Sequence, residues 1–177
     1  MENVREFKEQ IQELIEGKCF LELRNLLAST EAADIAWALN ELEKEEYIVA
    51  YRLLPKGLAA EVFVEMEPEA QQILIATFSD TELHVMIENL YTDDAADILE
   101  EMPANVVRRL LANASPETRR VLNDLLKYPE NSAGSIMTTE YVALKRDMTA
   151  DEAIEHIRHS AIDSENVYTC YVVDNRI

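Results

Sequence analysis

Two stretches of sequence decide the fold, and each runs from one proline to another. They are Pro55–Pro68, PKGLAAEVFVEMEP, and Pro103–Pro116, PANVVRRLLANASP. The prolines are 13 residues apart within each stretch, and the second stretch lies 48 residues after the first. Because proline is favoured at the first position of a helix, each proline predicts a helix start. The repeated spacing predicts short helices stacked as a right-handed superhelix or α-solenoid, with a plain helical bundle as the alternative.

Further helix starts and a second repeat extend this pattern along the chain. The tetrapeptide AADI occurs at Ala32–Ile35 and again at Ala95–Ile98. Ser79 and Thr149 are each followed three residues later by glutamate, which predicts a capping box, and Ser115 precedes a proline, which predicts an N-cap. Together with apolar residues at helical spacing, these signals predict a helical domain over the first 127 residues.

The character of the sequence changes at Tyr128. The residues that follow it, YPENSAGS over 128–135, form a turn-rich connector. Beyond the connector the pattern predicts a strand over Tyr141–Leu144, a helix over Asp151–His159, a strand over Val167–Val173 and a hairpin turn at Asp174–Arg176. A strand, a helix and a strand do not complete an α/β domain, so residues 128–177 are predicted to be a truncated second domain.

Charge and composition exclude several classes of function. The chain of 177 residues has 16 Lys+Arg against 35 Asp+Glu, a formal net charge of −19. Nucleic-acid binding needs a basic patch, so it is excluded, whereas an acidic surface attracts cations or a basic partner. The three glycines lie far apart, which excludes a glycine-rich phosphate loop, and no catalytic motif is present. The sequence therefore predicts a protein that is not an enzyme.

The same sequence predicts a soluble, cytoplasmic chain. No apolar run approaches the roughly 18–20 residues needed to cross a bilayer. The N terminus, MENVRE, is polar and lacks the features of a signal peptide. Cys19 and Cys170 are two lone cysteines, which do not make a disulfide framework or a zinc site.

The densest acidic motif is Asp93–Asp97, DDAAD. Asp93 and Asp97 are four residues apart, so on a helix they share one face and repel each other unless a cation lies near them. The spacing alone leaves the identity of such a cation open. The alternative is that Thr92 or Asp93 is an N-cap and Asp94 complements the helix dipole. That alternative leaves Asp97 unexplained, since it lies beyond the first turn.

Other polar and aromatic residues are predicted to be solvated or structural. The acidic run of Glu41, Glu43, Glu45 and Glu46 is interpreted as a solvated face. His156 and His159 share a helix face with Glu152 and Glu155, but zinc requires three or four converging ligands, so they are interpreted as surface residues. His84 is predicted to be structural. Trp37 is expected in the core or at a contact between subdomains.

The connector and the residues after it resemble a known family. The strings YPENSAGSIMTTEYVAL at Tyr128–Leu144, MTADEAI at Met148–Ile154 and YVVD at Tyr171–Asp174 resemble the entry into the first CBS domain of MgtE-type magnesium transporters. Leu53–Lys56 and Ala59–Val62 are similar to parts of that family's N-terminal superhelical domain. The resemblance covers nearly the whole chain. It implies an acidic helical N domain over 1–127 and a partial first CBS motif over 128–177.

The resemblance also implies partners and a location. In the family, the helical domain and a CBS pair precede a membrane pore, so the complete protein would be a multi-pass membrane protein whose helical domain lies on the cytoplasmic face of the bacterial membrane. The implied partners are its own CBS and transmembrane domains and a second copy in a homodimer. CBS pairs often bind adenosine nucleotides, and Thr169 would lie near that cleft.

A set of ion ligands is carried over from the resemblance. In the related transporters, the acids that match Glu61, Asp93 and Asp97 face the CBS domains and help to hold Mg²⁺ between the domains. Ser135 lies where the family presents a backbone carbonyl to an ion, and a backbone ligand would survive a serine there. The implied function is a Mg²⁺-sensing region in which the bound ion favours pore closure. The alternative is a helical-repeat scaffold for protein–protein interaction without ion sensing.

Overall fold

The computed structural model describes residues 2–129, 131–161, 164 and 167–174. Within these residues the first domain consists of short helices: α1 Glu2–Glu16, α2 Phe20–Ala28, α3 Ala32–Asn40, α4 Lys44–Arg52, α5 Lys56–Val64, α6 Pro68–Thr77, α7 Asp80–Ile87, α8 Thr92–Glu101, α9 Ala104–Asn113 and α10 Pro116–Leu125. After them come a 3₁₀ helix at Ala133–Ile136, β1 Val142–Lys145, α11 Ala150–Ser160 and β2 Cys170–Val173. The mainly α fold predicted from the sequence is confirmed.

The four repeated prolines occupy equivalent positions in the two copies. Pro55 and Pro103 are the N-cap residues of α5 and α9, and Pro68 and Pro116 are the first residues of α6 and α10. The first amides of a helix have no partner inside the helix, so a residue without an N–H loses no hydrogen bond there. The 48-residue repeat is therefore a repeat of helix starts.

Side-chain caps fix three more helix starts, as the sequence predicts. Ser79, Ser115 and Thr149 each accept a hydrogen bond from the amide three residues later, over 3.3, 3.1 and 3.3 Å. Both predicted capping boxes are present, at α7 and α11. A cap of this kind stabilises a helix by about 0.5–2 kcal/mol, which matters for helices of two or three turns.

Alternate helices pack on one another along the chain. α1 packs on α3, α3 on α5, α5 on α7 and α7 on α9, while α8 packs on α10. This order is typical of helical pairs stacked in a solenoid. One apolar core runs through the stack, and its largest fully buried side chains are Phe63, Ile11, Leu23, Leu27, Ile35, Leu39, Leu74, Ile75, Leu83, Ile87, Leu110 and Leu122.

Polar side chains close the C-terminal ends of helices inside this stack. The Arg109 guanidinium of α9 donates to the carbonyls of Ile75 and Phe78, over 2.6 and 2.5 Å, at the end of α6. Gln71 is buried, and its amide donates to the Phe63 carbonyl over 2.7 Å near the end of α5. Because the last carbonyls of a helix lack partners within it, these bonds satisfy groups that packing has removed from water.

Of the two places expected for Trp37, the core is wrong, whereas a contact between subdomains stays a prediction. Trp37 is 44% exposed, whereas Ile35 and Leu39 of the same helix are fully buried. At about 100° per residue, Trp37 lies some 200° around the helix from Ile35 and so points away from the core. His84 is structural, as predicted, since its Nδ1 lies 2.8 Å from the Asn113 carbonyl.

The residues after the connector form a β–α–β unit. β1 and β2 pair in parallel, with Val142 opposite Cys170, and α11 lies between them in sequence. Parallel strands require such a crossover. The predicted strand over Val167–Val173 is three residues too long, because pairing reaches only the four residues opposite β1; Tyr168 is 98% exposed. The predicted hairpin turn lies mostly outside the described residues.

A close contact shapes the connector. The ring of Tyr128 lies directly against Gly134, so that a Cβ at Gly134 would collide with ring atoms Cγ and Cδ1 of Tyr128. Gly57, in the first turn of α5, has no heavy atom within 4 Å of the place where its Cβ would lie. The two glycines therefore provide a matched pair of substitution sites.

We expect Gly134→Ala to lower the free energy of unfolding by about 1–3 kcal/mol, because the ring or the connector must shift. Gly57→Ala should raise it by up to about 1 kcal/mol, since alanine restricts the unfolded chain without a clash. Urea denaturation followed by circular dichroism measures both effects. Equal effects of the two substitutions would contradict the contact.

Candidate metal site

Helix α8 presents the acidic motif at the edge of the core. Ala95, Ala96, Ile98 and Leu99 are buried and fix the rotation of the helix. The acids lie outside this buried set, with Asp93 half-buried and Asp97 exposed. The packed helix therefore fixes the backbone positions of two carboxylate residues one turn apart on the same face.

Asp93 has an unsatisfied oxygen. Its Oδ1 atom is buried and accepts no hydrogen bond from the described residues. A buried carboxylate oxygen without a partner lowers the stability of the fold, unless a proton or a cation is bound to it. Among the carboxylates on the described part of the chain, Asp93 alone has such an atom.

The pKa of the Asp97 carboxyl is also shifted in this environment. Partial burial, and then the negative charge of Asp93, raise the pKa of the Asp97 carboxyl above its ordinary value. Asp34 occupies the matching place in the other AADI tetrapeptide, but the residue four positions before it is Thr30, not an acid. The acid pair is therefore a local feature of α8 and not a consequence of the repeat.

Glu61 lines a cleft between α5 and the start of α8. The cleft has a volume of about 430 Å³, and its lining includes Glu61, Glu65, Asn89, Tyr91 and Asp94. Glu61 is exposed, as expected for a glutamate that faces solvent. The fold thus brings Glu61 and α8 together from positions about thirty residues apart in sequence.

The cleft contains one acid that the sequence did not single out, Glu65, and one that it assigned to the helix dipole, Asp94, which does lie in the first turn of α8. Glu65 lies four residues after Glu61, the same spacing as Asp93 and Asp97, and that repeated spacing could have identified it. Asp94 was interpreted as a partner of the helix dipole, and it lines the cleft as well. The cleft is accordingly more acidic than the predicted residues alone indicate.

The structure does not gather all four predicted ligands into one cage. Ser135 lies in the 3₁₀ helix, half-buried, with its hydroxyl donating to the Ser132 carbonyl over 3.0 Å. It does not line the acidic cleft. Over the described residues, no group of three or more His, Cys, Asp or Glu side chains converges as a metal site. The predicted acids therefore lie in two places: Asp93 and Asp97 share a face of α8, and Glu61 lines the cleft together with Asp94.

The alternative that Thr92 or Asp93 caps α8 is wrong. Tyr91 occupies the N-cap position and provides no side-chain cap. Instead, the amide of Thr92 donates to Oε1 of Glu140 over 3.3 Å, and Glu140 comes from the segment after the connector. Because a distant carboxylate satisfies this helix end, Asp93 is not needed for capping.

The two histidines of α11 make only local contacts, and His159 is exposed, as predicted for a surface residue. The Nδ1 atom of His159 lies 2.8 Å from the Glu155 carbonyl, and His156 Nε2 lies 3.5 Å from the Ser160 hydroxyl. Glu46 has a role beyond a solvated face, since it accepts from the Glu43 amide at the start of α4 and from Gln12.

The region expected near a nucleotide cleft is small. Thr169 lines a cavity of about 140 Å³ with Thr138, Glu140, Tyr141 and Tyr171. That volume lies below the roughly 300–1,000 Å³ of typical ligand sites.

The raised pKa of Asp97 gives a prediction for stability in the absence of divalent ions. As pH rises through the raised pKa, the folded state gives up a proton that it binds more tightly than the unfolded state does, so stability falls. At pH 7 we therefore expect Asp97→Asn to raise the free energy of unfolding by about 0.2–0.5 kcal/mol, the size of a like-charge i,i+4 pair.

Asp34→Asn is the matched control. Asp34 lies in the first turn of α3, where a negative charge is favourable, so its loss should leave stability unchanged or lower it. Urea denaturation in chelator measures both variants. A stabilisation of equal size in the two variants would show that the effect is one of net charge and not of the α8 pair.

Helices that could span a bilayer are absent from the part of the chain that the structure describes, since none is both long and apolar enough.

Comparison with known proteins places the chain in a family. A model of the MgtE intracellular N domain matches residues 30–131. The magnesium transporter MgtE of Thermus thermophilus is 36% identical over 170 residues, which are 94% of this chain and 38% of that protein. The chain thus spans little more than a third of this relative. That relative carries the name of a transporter and not of an enzyme, in agreement with the expectation from the sequence.

Two solved structures are similar over nearly the whole chain. The cytosolic domain of the Mg²⁺ channel MgtE in complex with ATP has a TM-score of 0.85 and 35% identity, covering 96% of this chain and 69% of that one. The soluble part of a magnesium transporter has a TM-score of 0.88 and 25% identity, covering 97% and 68%. The resemblance drawn from the connector and the helical region is confirmed, and the chain belongs to the MgtE intracellular N domain family.

Proposed function

We propose that this chain is a Mg²⁺-sensing regulatory region of a magnesium transporter or channel. In this proposal residues 1–127 are the acidic N domain and residues 128–177 the start of the first CBS motif. The observation that carries the proposal is the buried, unpartnered Oδ1 of Asp93, on the same helix face as Asp97 with its raised pKa. The names of the relatives, all magnesium transporters, supply the identity of the ion.

The donor set fits Mg²⁺ and does not require a dense cage. Asp93 and Asp97 would hold one ion and Glu61 another through carboxylate oxygens, and the backbone carbonyl of Ser135 would be a ligand outside the acidic cleft. Mg²⁺ is commonly held by one or two carboxylates together with retained waters. When bound, it would supply two positive charges beside acidic side chains that repel one another. Partial sites of this kind release the ion readily, as sensing of a fluctuating concentration requires.

The proposed switch acts on the electrostatic repulsion between acidic side chains of the two segments. Residues 1–127 contain 12 basic and 26 acidic residues, and residues 128–177 contain 4 and 9, so the two segments repel each other. Asp93, Asp97 and Glu61 lie on the N domain side and would face acids of the CBS side. Neutralising them removes the repulsion and favours the compact arrangement, in which the pore is closed. A tenfold shift toward that arrangement needs only about 1.4 kcal/mol of differential binding.

The proposal includes partners and a location. We place the region on the cytoplasmic face of the bacterial membrane, in contact with CBS and transmembrane domains and with a second copy in a homodimer. An adenine nucleotide is the proposed ligand of the CBS pair; the similar solved structure of the MgtE cytosolic domain is a complex with ATP.

Limited proteolysis of the chain tests the sensing role. We expect millimolar Mg²⁺ to slow cleavage, and Asp93→Asn to shift the midpoint of this protection to a several-fold higher Mg²⁺ concentration, because the variant loses an anionic ligand. Asp34→Asn, with the same change in net charge, should keep the original midpoint.

Sodium chloride at matched ionic strength controls for screening. If protection is the same in sodium and magnesium salts, or if Asp93→Asn and Asp34→Asn behave alike, ion sensing is contradicted and the scaffold interpretation takes its place.

A further inference from the structure

A second carboxylate lies at the start of α8, and its surroundings differ from those of Asp93. Oε1 of Glu140 accepts from the Thr92 amide over 3.3 Å, and Oε2 accepts from the Thr92 hydroxyl over 2.8 Å. Oε2 also lies 3.2 Å from the Thr138 hydroxyl. Thr92 and Glu140 are 48 residues apart, so these bonds join the helical domain to the segment after the connector.

The hydroxyl protons around Glu140 have two consistent arrangements, because each threonine hydroxyl has a single proton to donate. In the first, Thr92 donates to Glu140, and Thr139, whose Oγ1 lies 2.6 Å from Thr92 Oγ1, donates to Thr92. In the second, Thr139 donates to Glu140 over 3.3 Å and Thr92 donates to Thr139. Thr138 donates to Glu140 and in turn accepts from the Glu140 amide over 3.2 Å. In either arrangement the threonine hydroxyls donate, directly or through one another, to the Glu140 carboxylate.

The position is electrostatically favourable for an anion. The first amides of a helix have a partial positive charge, and an acid placed there stabilises the helix. Glu140 is thus attracted to α8, although the two segments that it joins are both acidic. Its oxygens already accept hydrogen bonds from Thr92 and Thr138, so Glu140 needs no cation, whereas Asp93 Oδ1 accepts none.

We propose that Glu140 is a positioning residue that seats the segment after the connector on the N-terminal end of α8 and thereby sets how readily the acidic surface around Asp93 and Asp97 closes against the CBS side. Part of this statement rests on the proposed Mg²⁺-sensing function. Glu140 acts through the Thr92 amide and hydroxyl and contributes no ligand to the ion. The two carboxylates at this end of α8 then have separate roles. Glu140 joins the helical domain to the segment after the connector, and Asp93 binds the ion.

The test compares Glu140→Ala with Glu152→Ala. Glu152 is the matched control, because it also accepts from a threonine hydroxyl and a backbone amide, but within the start of its own helix α11.

The readouts are hydrogen exchange at the Thr92 amide in chelator and the Mg²⁺ midpoint of protease protection. We expect Glu140→Ala to speed exchange at Thr92 about tenfold, as loss of a hydrogen bond to a charged group does, and to raise the Mg²⁺ midpoint several-fold. Glu152→Ala should change neither.

Two further variants guard against a general loss of structure. Glu140→Gln retains a carbonyl oxygen as acceptor and should have intermediate effects. Thr92→Val keeps a β-branched side chain and the amide but removes the hydroxyl. Combined with Glu140→Ala it should add little, since both changes remove parts of one network.

The outcomes separate this proposal from the sensing function. Unchanged exchange at Thr92 in Glu140→Ala overturns it, and so does faster exchange with an unchanged midpoint in a chain that responds to Mg²⁺. If the unaltered chain shows no response to Mg²⁺, the sensing function fails. Exchange at the Thr92 amide alone then decides whether Glu140 seats the segment after the connector on α8.

Discussion

The repulsion between Asp93 and Asp97 is the constraint on which the site depends. Four buried apolar residues fix the rotation of α8, so Asp93 and Asp97 stay on one face of the helix, one turn apart. One oxygen of Asp93 lies buried without a partner, and the pKa of Asp97 is raised by burial and by its neighbour. Stable packing elsewhere in the solenoid maintains this unfavourable pair, which is the usual condition of a functional site.

Around this pair the molecule distinguishes carboxylates that hold structure together from carboxylates that are open to a ligand. Glu82 and Glu152 belong to capping boxes, and Glu140 accepts hydrogen bonds across two segments. The pKa values of Glu82 and Glu152 are lowered, above all by the hydrogen bond from a backbone amide. Asp97 shifts in the opposite direction. In a chain of net charge −19, this difference identifies the few acids whose negative charge lacks compensation.

Local signals predicted the helical architecture well. Prolines, capping serines and helical spacing act within a few residues, so the helix starts at Pro68, Ser79 and Ser115 could be read directly from the sequence. The failures involve contacts between distant residues. Trp37 was misplaced because helix rotation depends on which neighbour packs, and the length of β2 was set by its four-residue partner β1.

The site was predictable only in part for the same reason. The i,i+4 spacing identified Asp93 and Asp97, and the family resemblance added Glu61 and Ser135. The cleft that Glu61 and Asp94 both line depends on where distant parts of the chain meet, and the cap from Glu140 spans 48 residues. No local pattern encodes either contact, so only the structure could reveal that Asp93 is free of a capping role.

The carboxyl pKa of Asp97, followed by NMR titration in chelator and in saturating Mg²⁺, measures most directly whether the α8 pair binds the ion. The Asp34 carboxyl in the same sample is the internal reference. Binding stabilises the charged form of Asp97, so its pKa should be raised in chelator and should fall when Mg²⁺ is added, while that of Asp34 stays constant. An Asp97 pKa that responds to Mg²⁺ no more than to sodium at equal ionic strength would contradict an ion site on this helix.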